Sequence, residues 1–390
     1  MKTEYVLLSA LSEFKNGKFL PTNERLQSGK YDVYGSNGKI AKTTKSLYQQ
    51  PVIVIGRVGA NCGAINFTKK SSWITDNCIV AIPKSETDFD FLYYLLRFLK
   101  LNNLAIGSAQ PMLTQDLLNS IEILNFDSPE KEKIGKILSD LDSKIQNLQK
   151  QNRILEQMVQ TIFKSWFIDF DGVTEFEDSE LGQIPKGWKV KLFKEIGECV
   201  KGFSYKGIEK FTEPRGFEFV TLNSIKEGGG FKKKFTWLES DRLKERHFVN
   251  ELDLIIANTE QTKDARLLAT PALVQFSYDY DKQLAVYSHH ITKIKSKIKN
   301  SKSYLYSFFL YYQENIANAY HTGTGVWGFD HKSFEENHLT LKPTDEVLEK
   351  FENMSSEIHT QIIENEKSIS VLTNLHDSLL PKLMSGEIRV

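Results

Sequence analysis

The sequence predicts an α+β protein in which two tandem mixed α/β domains are separated by two long helices that form an antiparallel coiled coil. Three observations support this prediction. An apolar seam runs through the middle of the chain, a second seam of matching length lies at its C-terminal end, and short strands and helices recur in similar order before each seam. The two halves are therefore predicted to be an internal repeat with pseudo-twofold symmetry.

The first seam is an apolar stripe along residues 129–167. Steps of four and three residues from Ile134 reach positions of which only Asn152 is polar. A repeat near 3.5 residues, held over this length, is typical of a long helix that packs along a second helix. At a rise of about 1.5 Å per residue the helix is a rod of roughly 50 Å. The seam positions are Ile134, Leu138, Leu141, Ile145, Leu148, Asn152, Leu155, Val159, Ile162 and Trp166.

The second seam lies 217 residues further along the chain. Its positions are Phe351, Ser355, Ile358, Ile362, Asn365, Ile369, Leu372, His376, Leu379 and Leu383. Agreement over the whole length favours an internal repeat, although two unrelated amphipathic helices are the alternative. We expect the polar members Asn152, Asn365 and His376 to fix the register or to face a partner. We also expect that Asn152→Leu does not destabilise the chain.

The seams divide the chain into globular and helical segments. With 390 residues the chain is too long for one ordinary domain. We predict six segments: a first globular domain at 1–127, a central spacer helix at 128–170, a linker at 171–185, a second globular domain at 186–343, a C-terminal spacer helix at 344–384 and a tail at 385–390.

In the first globular domain, short β-branched runs predict buried strands at residues 51–57 and 78–82. Glycine and asparagine at residues 31–39 are typical of a tight turn. A helix is predicted at 90–101, followed by an exposed glycine turn and by a short helix or strand at 114–124.

The second globular domain repeats that order. Strands are predicted at 253–257 and 286–294, an aromatic helix at 303–312, a glycine turn at 323–327 and a closing segment at 334–341. The residues differ greatly from those of the first domain while the order of elements persists. This combination is expected of two copies of one fold that bind different ligands.

Charge is distributed unevenly although the formal net charge is zero. Residues 1–127 carry 14 Lys and Arg against 11 Asp and Glu, and residues 186–343 carry 25 against 19. Residues 128–185 carry 7 against 11, and residues 344–390 carry 4 against 9. Basic domains on an acidic frame would hold a polyanion against the domains. The pattern favours nucleic-acid binding, with ordinary variation of surface charge as the alternative.

Cysteine usage and hydropathy indicate a cytoplasmic protein. Cys62, Cys78 and Cys199 show no CxxC spacing, which argues against a disulfide framework and against a zinc site. The N-terminus has no charged and then apolar leader, and no apolar run has the length of a membrane span.

Motifs for catalysis are missing from the sequence. Residues 56–63 are rich in glycine but match neither the dinucleotide-binding fingerprint nor the P-loop, so a tight loop between strands is favoured. His289 and His290 fall inside the predicted strand 286–294, so their rings should point to opposite faces and cannot share a metal. We predict a non-catalytic chain that holds no metal or cofactor.

Four segments resemble the specificity subunit of a type I restriction–modification enzyme. They are TIFKSWFIDFD at 161–171, LLPKLMSGEIRV at 379–390, YGSNG at 34–38 and LGQIPKGW at 181–188. The resemblance covers essentially the full length, and the central and terminal segments are the most specific. The Gly-Trp pair at the start of the second domain has no clear counterpart before Tyr5, so the first domain should begin with a shorter strand.

The resemblance implies that the globular domains are target recognition domains, each recognising half of a bipartite site on double-stranded DNA. It implies that the helices dock two methyltransferase subunits and set the gap between the half-sites, and that restriction subunits join through the complex. S-adenosylmethionine, ATP and Mg²⁺ would then belong to partner subunits. A coiled-coil scaffold whose domains bind protein or small ligands is the alternative function.

Loop side chains that can form paired hydrogen bonds are the candidates for base contacts. Those of the first domain are Ser36, Asn37, Lys39, Arg57, Asn61, Ser108 and Gln110. Those of the second domain are Lys232, Lys233, Lys234, Thr259, Gln261, Lys263, Arg266, Thr322 and Thr324. Because loops are polar in general, each candidate could also be an ordinary surface residue, and Arg57 could pair with an acid of its own domain.

Overall fold

A computed structural model describes residues 4–107, 111–260, 266–277 and 280–390. The chain forms two compact units. Unit 1 consists of Met1–Gln149 and Ser368–Val390, and unit 2 consists of Lys150–Lys367. Each unit therefore contains one part of each long helix together with its own sheets.

The helices in chain order are α1 (Phe89–Phe98), α2 (Gln115–Asn119), α3 (Ser128–Phe167), α4 (Phe193–Ile196), α5 (Lys302–Tyr311), α6 (Gln313–Ala319), α7 (His331–Asn337) and α8 (Asp345–Met384). The long helices α3 and α8 have 40 residues each and start 217 residues apart, at positions 128 and 345. The repeat offset predicted from the seams is thus also the offset between the helix bounds.

Local sequence explains where the long helices start. The Asp127 carboxylate accepts a hydrogen bond from the Glu130 backbone N–H at 2.8 Å, which caps the start of α3. Asp345 and Glu346 lie in the first turn of α8, where carboxylates interact favourably with the helix dipole. After each helix the chain turns through glycine with positive φ, at Gly172 and at Gly386.

The strands of unit 1 are β1 (Tyr5–Leu7), β2 (Ser12–Asn16), β3 (Tyr31–Gly35), β4 (Gly38–Thr43), β5 (Val52–Gly56), β6 (Ile65–Thr68), β7 (Ser72–Ile74), β8 (Cys78–Pro83) and β9 (Glu122–Leu124). They form a four-stranded sheet of order β2-β8-β5-β6, a three-stranded sheet of order β4-β3-β7 and the pair β1-β9. The predicted segment 114–124 contains both α2 and β9.

The first strands of unit 2 are β10 (Phe176–Ser179), β11 (Gly182–Pro185), β12 (Lys189–Leu192), β13 (Gly197–Lys201), β14 (Lys210–Phe211), β15 (Phe217–Val220), β16 (Thr236–Leu238) and β17 (Phe248–Val249). They are followed by β18 (Leu254–Ala257), β19 (Thr259–Glu260), β20 (Pro271–Leu273), β21 (Ala285–Tyr287), β22 (Ile291–Ser296), β23 (His321–Thr322), β24 (Trp327–Phe329) and β25 (Leu339–Lys342). The predicted linker 171–185 contains the hairpin β10-β11.

The sheets of the two units follow one plan. The four-stranded sheet of unit 2 has the order β13-β22-β18-β20, which matches β2-β8-β5-β6 strand for strand. The pair β12-β25 matches β1-β9, and β1 is one residue shorter than β12. A parallel pair occurs in both units, β3 with β7 and β15 with β21. The sheet order therefore confirms the predicted internal repeat.

Each unit has a core that the long helices help to build. In unit 1, Ile134 and Leu138 of α3 are fully buried in one cluster with Leu383 of α8 and Phe91 of α1. Gly135 permits this close packing, because an added Cβ would lie 2.7 Å from the Phe91 backbone nitrogen.

In unit 2, Val159, Phe163 and Phe167 of α3 pack with Phe351 of α8 in the corresponding cluster. Contacts within each unit show that α3 and α8 run antiparallel. The early residue Ile134 shares a cluster with Leu383, Asn152 bonds to Asn365, and the ring centroids of Trp166 and Phe351 are 6.1 Å apart. Rising numbers on α3 thus meet falling numbers on α8. The fold class predicted from the sequence is confirmed.

The seam positions vary in burial, but none is fully exposed. Ile134, Leu138, Leu148, Asn152, Val159 and Ile362 are buried. The half-buried positions are Leu141, Ile145, Leu155, Ile162, Ile358, Ile369, Leu372 and Leu379. Within the described ranges, no helix combines the length and the apolar character needed to cross a membrane.

One predicted strand is wrong. Residues 286–294 are divided between β21 and β22 by a turn in which the Ile291 N–H donates to the Ser288 carbonyl at 2.9 Å. His289 and His290 lie in this turn, and their ring centroids are 3.9 Å apart. The expectation that the two rings point to opposite faces fails, because side chains alternate only where the backbone is extended.

Candidate functional site

The candidates Ser36 and Asn37 are the two central residues of the turn that joins β3 to β4. The following Gly38 has a φ of +90°, a conformation that favours glycine. The Ser36 hydroxyl donates to the Asn77 carbonyl at 2.8 Å and so anchors the turn, whereas Asn37 is exposed. The amide of Asn37 is therefore accessible to a ligand.

The candidate Lys39 is an exposed cation that forms an ion pair with Asp32 at 2.8 Å. Lys42 approaches the same carboxylate at 3.0 Å. The hydrogen bond from the Lys39 ammonium lowers the pKa of Asp32, and that from Lys42 contributes in the same direction. Because two ammonium groups share one carboxylate, this surface keeps a net positive charge.

Arg57 and Asn61 lie in the loop after β5, beside the turn that carries Ser36. The Asn77 carbonyl accepts from both the Ser36 hydroxyl and the Arg57 backbone N–H. At Gly56, an added Cβ would lie 2.1 Å from the Asn61 carbonyl oxygen and 3.2 Å from that of Ser36. The structure thus brings Ser36, Arg57 and Asn61 into one loop cluster.

Arg57 is half-buried, and its Nε has no hydrogen-bond partner among the described residues. No acidic side chain of that part of the chain lies within ion-pair distance of it, so the alternative of an internal ion pair gains no support. Ser108 and Gln110 lie outside the described residues. Of the residues around them, Met112 forms bridges with Val58 and Ile106.

In unit 2 the candidates Thr259 and Thr322 meet at the small sheet β19-β24-β23, and we call them the threonine cluster. Thr259 and Thr322 both lie opposite Gly328 of β24, one from each side. The Thr259 hydroxyl is 3.0 Å from Nδ1 of His290, and the Thr322 hydroxyl donates to the Gly328 carbonyl at 3.2 Å. Thr324 is exposed at the tip between β23 and β24.

The candidates Lys232, Lys233 and Lys234 form a basic run that follows a turn in which Gly228, Gly229 and Gly230 all have positive φ. Lys232 and Lys234 are exposed, whereas Lys233 is half-buried and burial lowers its pKa. The run therefore presents its first and third ammonium groups to solvent.

Lys232 shares a cleft of about 440 Å³ with Glu260 and Leu267. These two residues follow Thr259 and the exposed Arg266 in the chain, so the cleft beside Lys232 is lined by the immediate neighbours of two further candidates. Gln261 and Lys263 lie outside the described residues.

Three side chains of this region are not among the candidates predicted from the sequence. The imidazole of His321 stacks on the indole of Trp327, with ring centroids 3.9 Å apart and an interplanar angle of 12°. His290 contacts Thr259, and burial lowers its pKa. Trp327, the aromatic residue that ends the predicted glycine turn, was the available signal for the stacked pair. In the described ranges there is no group of three or more His, Cys, Asp or Glu that could hold a metal ion.

Comparison with known proteins gives a consistent result. A family profile described as the type I restriction modification DNA specificity domain matches residues 2–157. The MjaIX specificity subunit of Methanocaldococcus jannaschii, named as part of a type I restriction enzyme, is 31% identical over 321 residues, which cover 79% of this chain and 71% of the relative. The HindI specificity subunit of Haemophilus influenzae is 23% identical over 378 residues, which cover 81% of this chain and 79% of the relative.

A solved structure has the same fold. The crystal structure of the S subunit of a type I restriction–modification system from M. genitalium superposes with a TM-score of 0.66 and 15% sequence identity. The superposition covers 98% of this chain and 96% of the other. The relatives are named as specificity subunits and not as catalytic subunits, in agreement with the non-catalytic chain predicted from the sequence.

Proposed function

This chain belongs to the specificity subunits of type I restriction–modification enzymes, and from that premise we propose that its two domains recognise the two halves of one DNA site. The observation that carries the proposal is the repeat itself. Both units contain the same sheet order, but the loop clusters differ in almost every residue. Equal scaffolds with unequal loops suit the recognition of two unrelated sequences.

We assign the target recognition domains to residues 1–127 and 186–343 and the spacers to 128–170 and 344–384. The candidate base contacts of the first domain are the cluster of Ser36, Arg57 and Asn61 with the adjacent Asn37. Those of the second are the threonine cluster and the neighbouring basic run. Arginine and asparagine side chains can form paired hydrogen bonds with base edges, and exposed lysines suit phosphate oxygens.

The helices carry a feature that suits two copies of one partner. Ile154 and Met158 are exposed apolar side chains one turn apart on α3. Val371 and Leu375 form the same kind of pair on α8, and each lies 217 residues after its counterpart. Exposed apolar patches often mark protein interfaces. We propose that each pair docks one methyltransferase subunit, so that the repeat binds two.

The remaining chemistry is assigned to other chains. S-adenosylmethionine would bind to the methyltransferase subunits, and ATP and Mg²⁺ would serve the restriction subunits that join through the complex. A cytoplasmic location, next to chromosomal DNA, accords with this assignment. The present chain would contribute recognition and spacing only.

A salt titration of DNA binding tests the recognition role. The chain assembled with its methyltransferase subunits should bind duplex DNA with an affinity that falls steeply with salt. Because each lost phosphate contact reduces the logarithmic salt slope by about 0.9, Lys232→Gln and Lys234→Gln should each flatten the slope by roughly that amount. Lys144→Gln makes the same charge change on the acidic helix and should leave the slope unchanged. A flat salt dependence of the unaltered complex would refute DNA recognition by these domains.

A further inference from the structure

A cavity of about 550 Å³ in unit 2 is not part of the candidate DNA surface. It is bordered by α3 and α8 on one side and by α5 and the glycine turn at 228–230 on the other. Its volume falls within the range of small-molecule sites in proteins, about 300 to 1,000 Å³.

A buried amide that lines this cavity lacks a partner. Gln275 is 7% exposed, and its Oε1 has no hydrogen-bond partner among the described residues. Buried polar atoms are normally hydrogen-bonded, and an exception needs an explanation such as a missing ligand. Because an amide oxygen accepts hydrogen bonds, the missing group is a donor.

Further acceptors line the same cavity. Burial lowers the pKa of His359 to about 4, so its imidazole is neutral at pH 7 and keeps one acceptor nitrogen. The ring of His359 meets that of Tyr306 edge to face, with centroids 5.5 Å apart. The carboxylate of Glu156 also lines the cavity, although the residue as a whole is exposed. Partial desolvation raises its pKa, and the nearby Lys226 acts in the opposite direction.

Two cations line the cavity, and Lys226 favours the ionised form of Glu156, but neither cation forms an ion pair with that carboxylate among the described residues. Lys226 is engaged with Glu366 at 3.5 Å. Arg153 is exposed on the outer part of α3. A ligand that places a donor with positive charge between Gln275 and Glu156 would satisfy the orphan amide oxygen and the carboxylate together.

The equivalent place in unit 1 is built differently. His359 corresponds by the 217-residue offset to Asp142, whose carboxylate accepts a hydrogen bond from the Tyr94 hydroxyl of α1 at 2.8 Å. In unit 1 the helix pair and the aromatic helix are thus joined directly by a polar bond. In unit 2, Tyr306 and His359 meet through their rings beside the cavity. By the 213-residue offset between α1 and α5, the position of Tyr94 is taken by Ser307, and the polar bond between α5 and α8 lies elsewhere, from the Ser303 N–H to the Glu352 carboxylate at 2.8 Å.

We propose that this cavity binds a small aliphatic amine as its ammonium cation, with the ammonium group between Gln275 Oε1 and the Glu156 carboxylate. The carbon chain of the ligand would lie along Tyr306 and Leu310. Two sources carry this chemistry, a free diamine and a lysine side chain of a docked protein subunit.

Calorimetric titration of the full-length chain with putrescine tests the free ligand. We expect saturable binding that is weakened at least tenfold by Gln275→Leu and by Glu156→Gln. Glu357→Gln, at an exposed position of α8, is the matched control and should bind as the unaltered chain does. Butane-1,4-diol has the same chain length without charge and should not bind. In the absence of ligand, the Gln275→Leu variant should not unfold at a lower temperature than the unaltered chain, because the substitution removes an unpaired acceptor. If Gln275→Leu fails to fold, Glu156→Gln still tests the proposal.

The second source is tested by association with the methyltransferase subunit. If the cavity accepts an ammonium group only when the docked subunit presents it on a lysine, putrescine does not bind the free chain. In that case Gln275→Leu and Glu156→Gln should weaken association at least tenfold and Glu357→Gln should not. The absence of both responses, or equal responses in all three variants, overturns the proposal. Salt-dependent DNA binding by the complex would be unaffected, so failure here is distinct from failure of the recognition role.

Discussion

At the scale of residues, the central polar contact of the helix pair is an amide pair in unit 2. The Asn365 side-chain nitrogen donates to the Asn152 side-chain oxygen at 2.8 Å, and the Asn152 nitrogen approaches the Ile362 carbonyl at 3.5 Å. Both asparagines are buried. A buried asparagine pair stabilises the register that lets the amides meet, because other registers leave them unpaired in an apolar seam.

The pair changes the expectation for Asn152→Leu. From the sequence alone this substitution should be harmless, but the structure shows that it deprives the Asn365 amide of its acceptor. We now expect a loss of about 1–3 kcal/mol in the free energy of unfolding for either single leucine variant. The double variant Asn152→Leu with Asn365→Leu should recover this loss, which denaturant unfolding would measure. Equal losses that add in the double variant would contradict the pairing.

Partly buried histidines are expected to make unit 2 sensitive to acid. Burial lowers the pKa of His338 to about 4, whereas an unfolded histidine titrates near about 6.5. The unfolded chain therefore binds more protons between these values. Stability should be full above about pH 6.5 and fall by about 1.4 kcal/mol per pH unit for each such group as the pH drops towards 4.

The variant His338→Phe should reduce the slope of the free energy of unfolding against pH by the contribution of one titrating group. Denaturant unfolding at several pH values would measure this slope. Phe334→Leu is the control, because it removes the ring stacked on His338 at 4.8 Å but keeps the histidine. It should lower stability at every pH without changing the slope. An unchanged slope in His338→Phe would rule out this histidine as the source.

At the scale of elements, the repeat places the same exposed apolar pair on both long helices. Ile154→Asp with Met158→Asp should abolish docking of one methyltransferase subunit, and Val371→Asp with Leu375→Asp should abolish docking of the other. A charge in the apolar centre of an interface is strongly unfavourable. Analytical ultracentrifugation should then show complexes with one methyltransferase subunit, while Gln149→Asp and Thr373→Asp, exposed positions of the same helices, retain two. If all variants still bind two methyltransferase subunits, the docking surface does not include these apolar pairs.

The length of the helices should set the gap between the half-sites. Removal of seven residues after Leu148, with the matching seven residues of α8, keeps the seam in phase. Because seven residues span about 10 Å and base pairs are about 3.4 Å apart, the gap should shorten by roughly three base pairs. Sequencing of methylated DNA would measure it. If both half-sites are retained and the gap is unchanged, the length of the helices does not set the gap.

Long elements were predictable from the sequence, and short contacts between distant segments were not. The seams follow from local periodicity, which is why a long helix is predictable at each of them, where α3 and α8 lie. The break at Ser288 depends on partners far away in the chain, since its N–H donates to Val220 and that of His289 donates to Phe203. The cavity at Gln275 is lined by residues of several separate segments, and periodicity within one segment carries no information about it.

At the scale of the whole molecule, the central claim is that two copies of one fold recognise two DNA sequences independently. The same sheet order occurs in both units, while the loop clusters differ in residues and in charge. The cluster of the first domain contains the half-buried Arg57 with the polar Ser36 and Asn61. The cluster of the second domain combines threonines with the lysines at 232–234. Independent recognition requires that each half-site depends on one domain alone.

Exchange of one domain shows whether each half-site depends on one domain alone. Residues 186–343 are replaced by the corresponding domain of another specificity subunit, and the chimera is expressed with its methyltransferase subunits. Sequencing of methylated DNA should then show one new half-site and one unchanged half-site at the same spacing, as in the unaltered complex. A change in both half-sites would contradict the account, because the two domains would then be recognising DNA jointly.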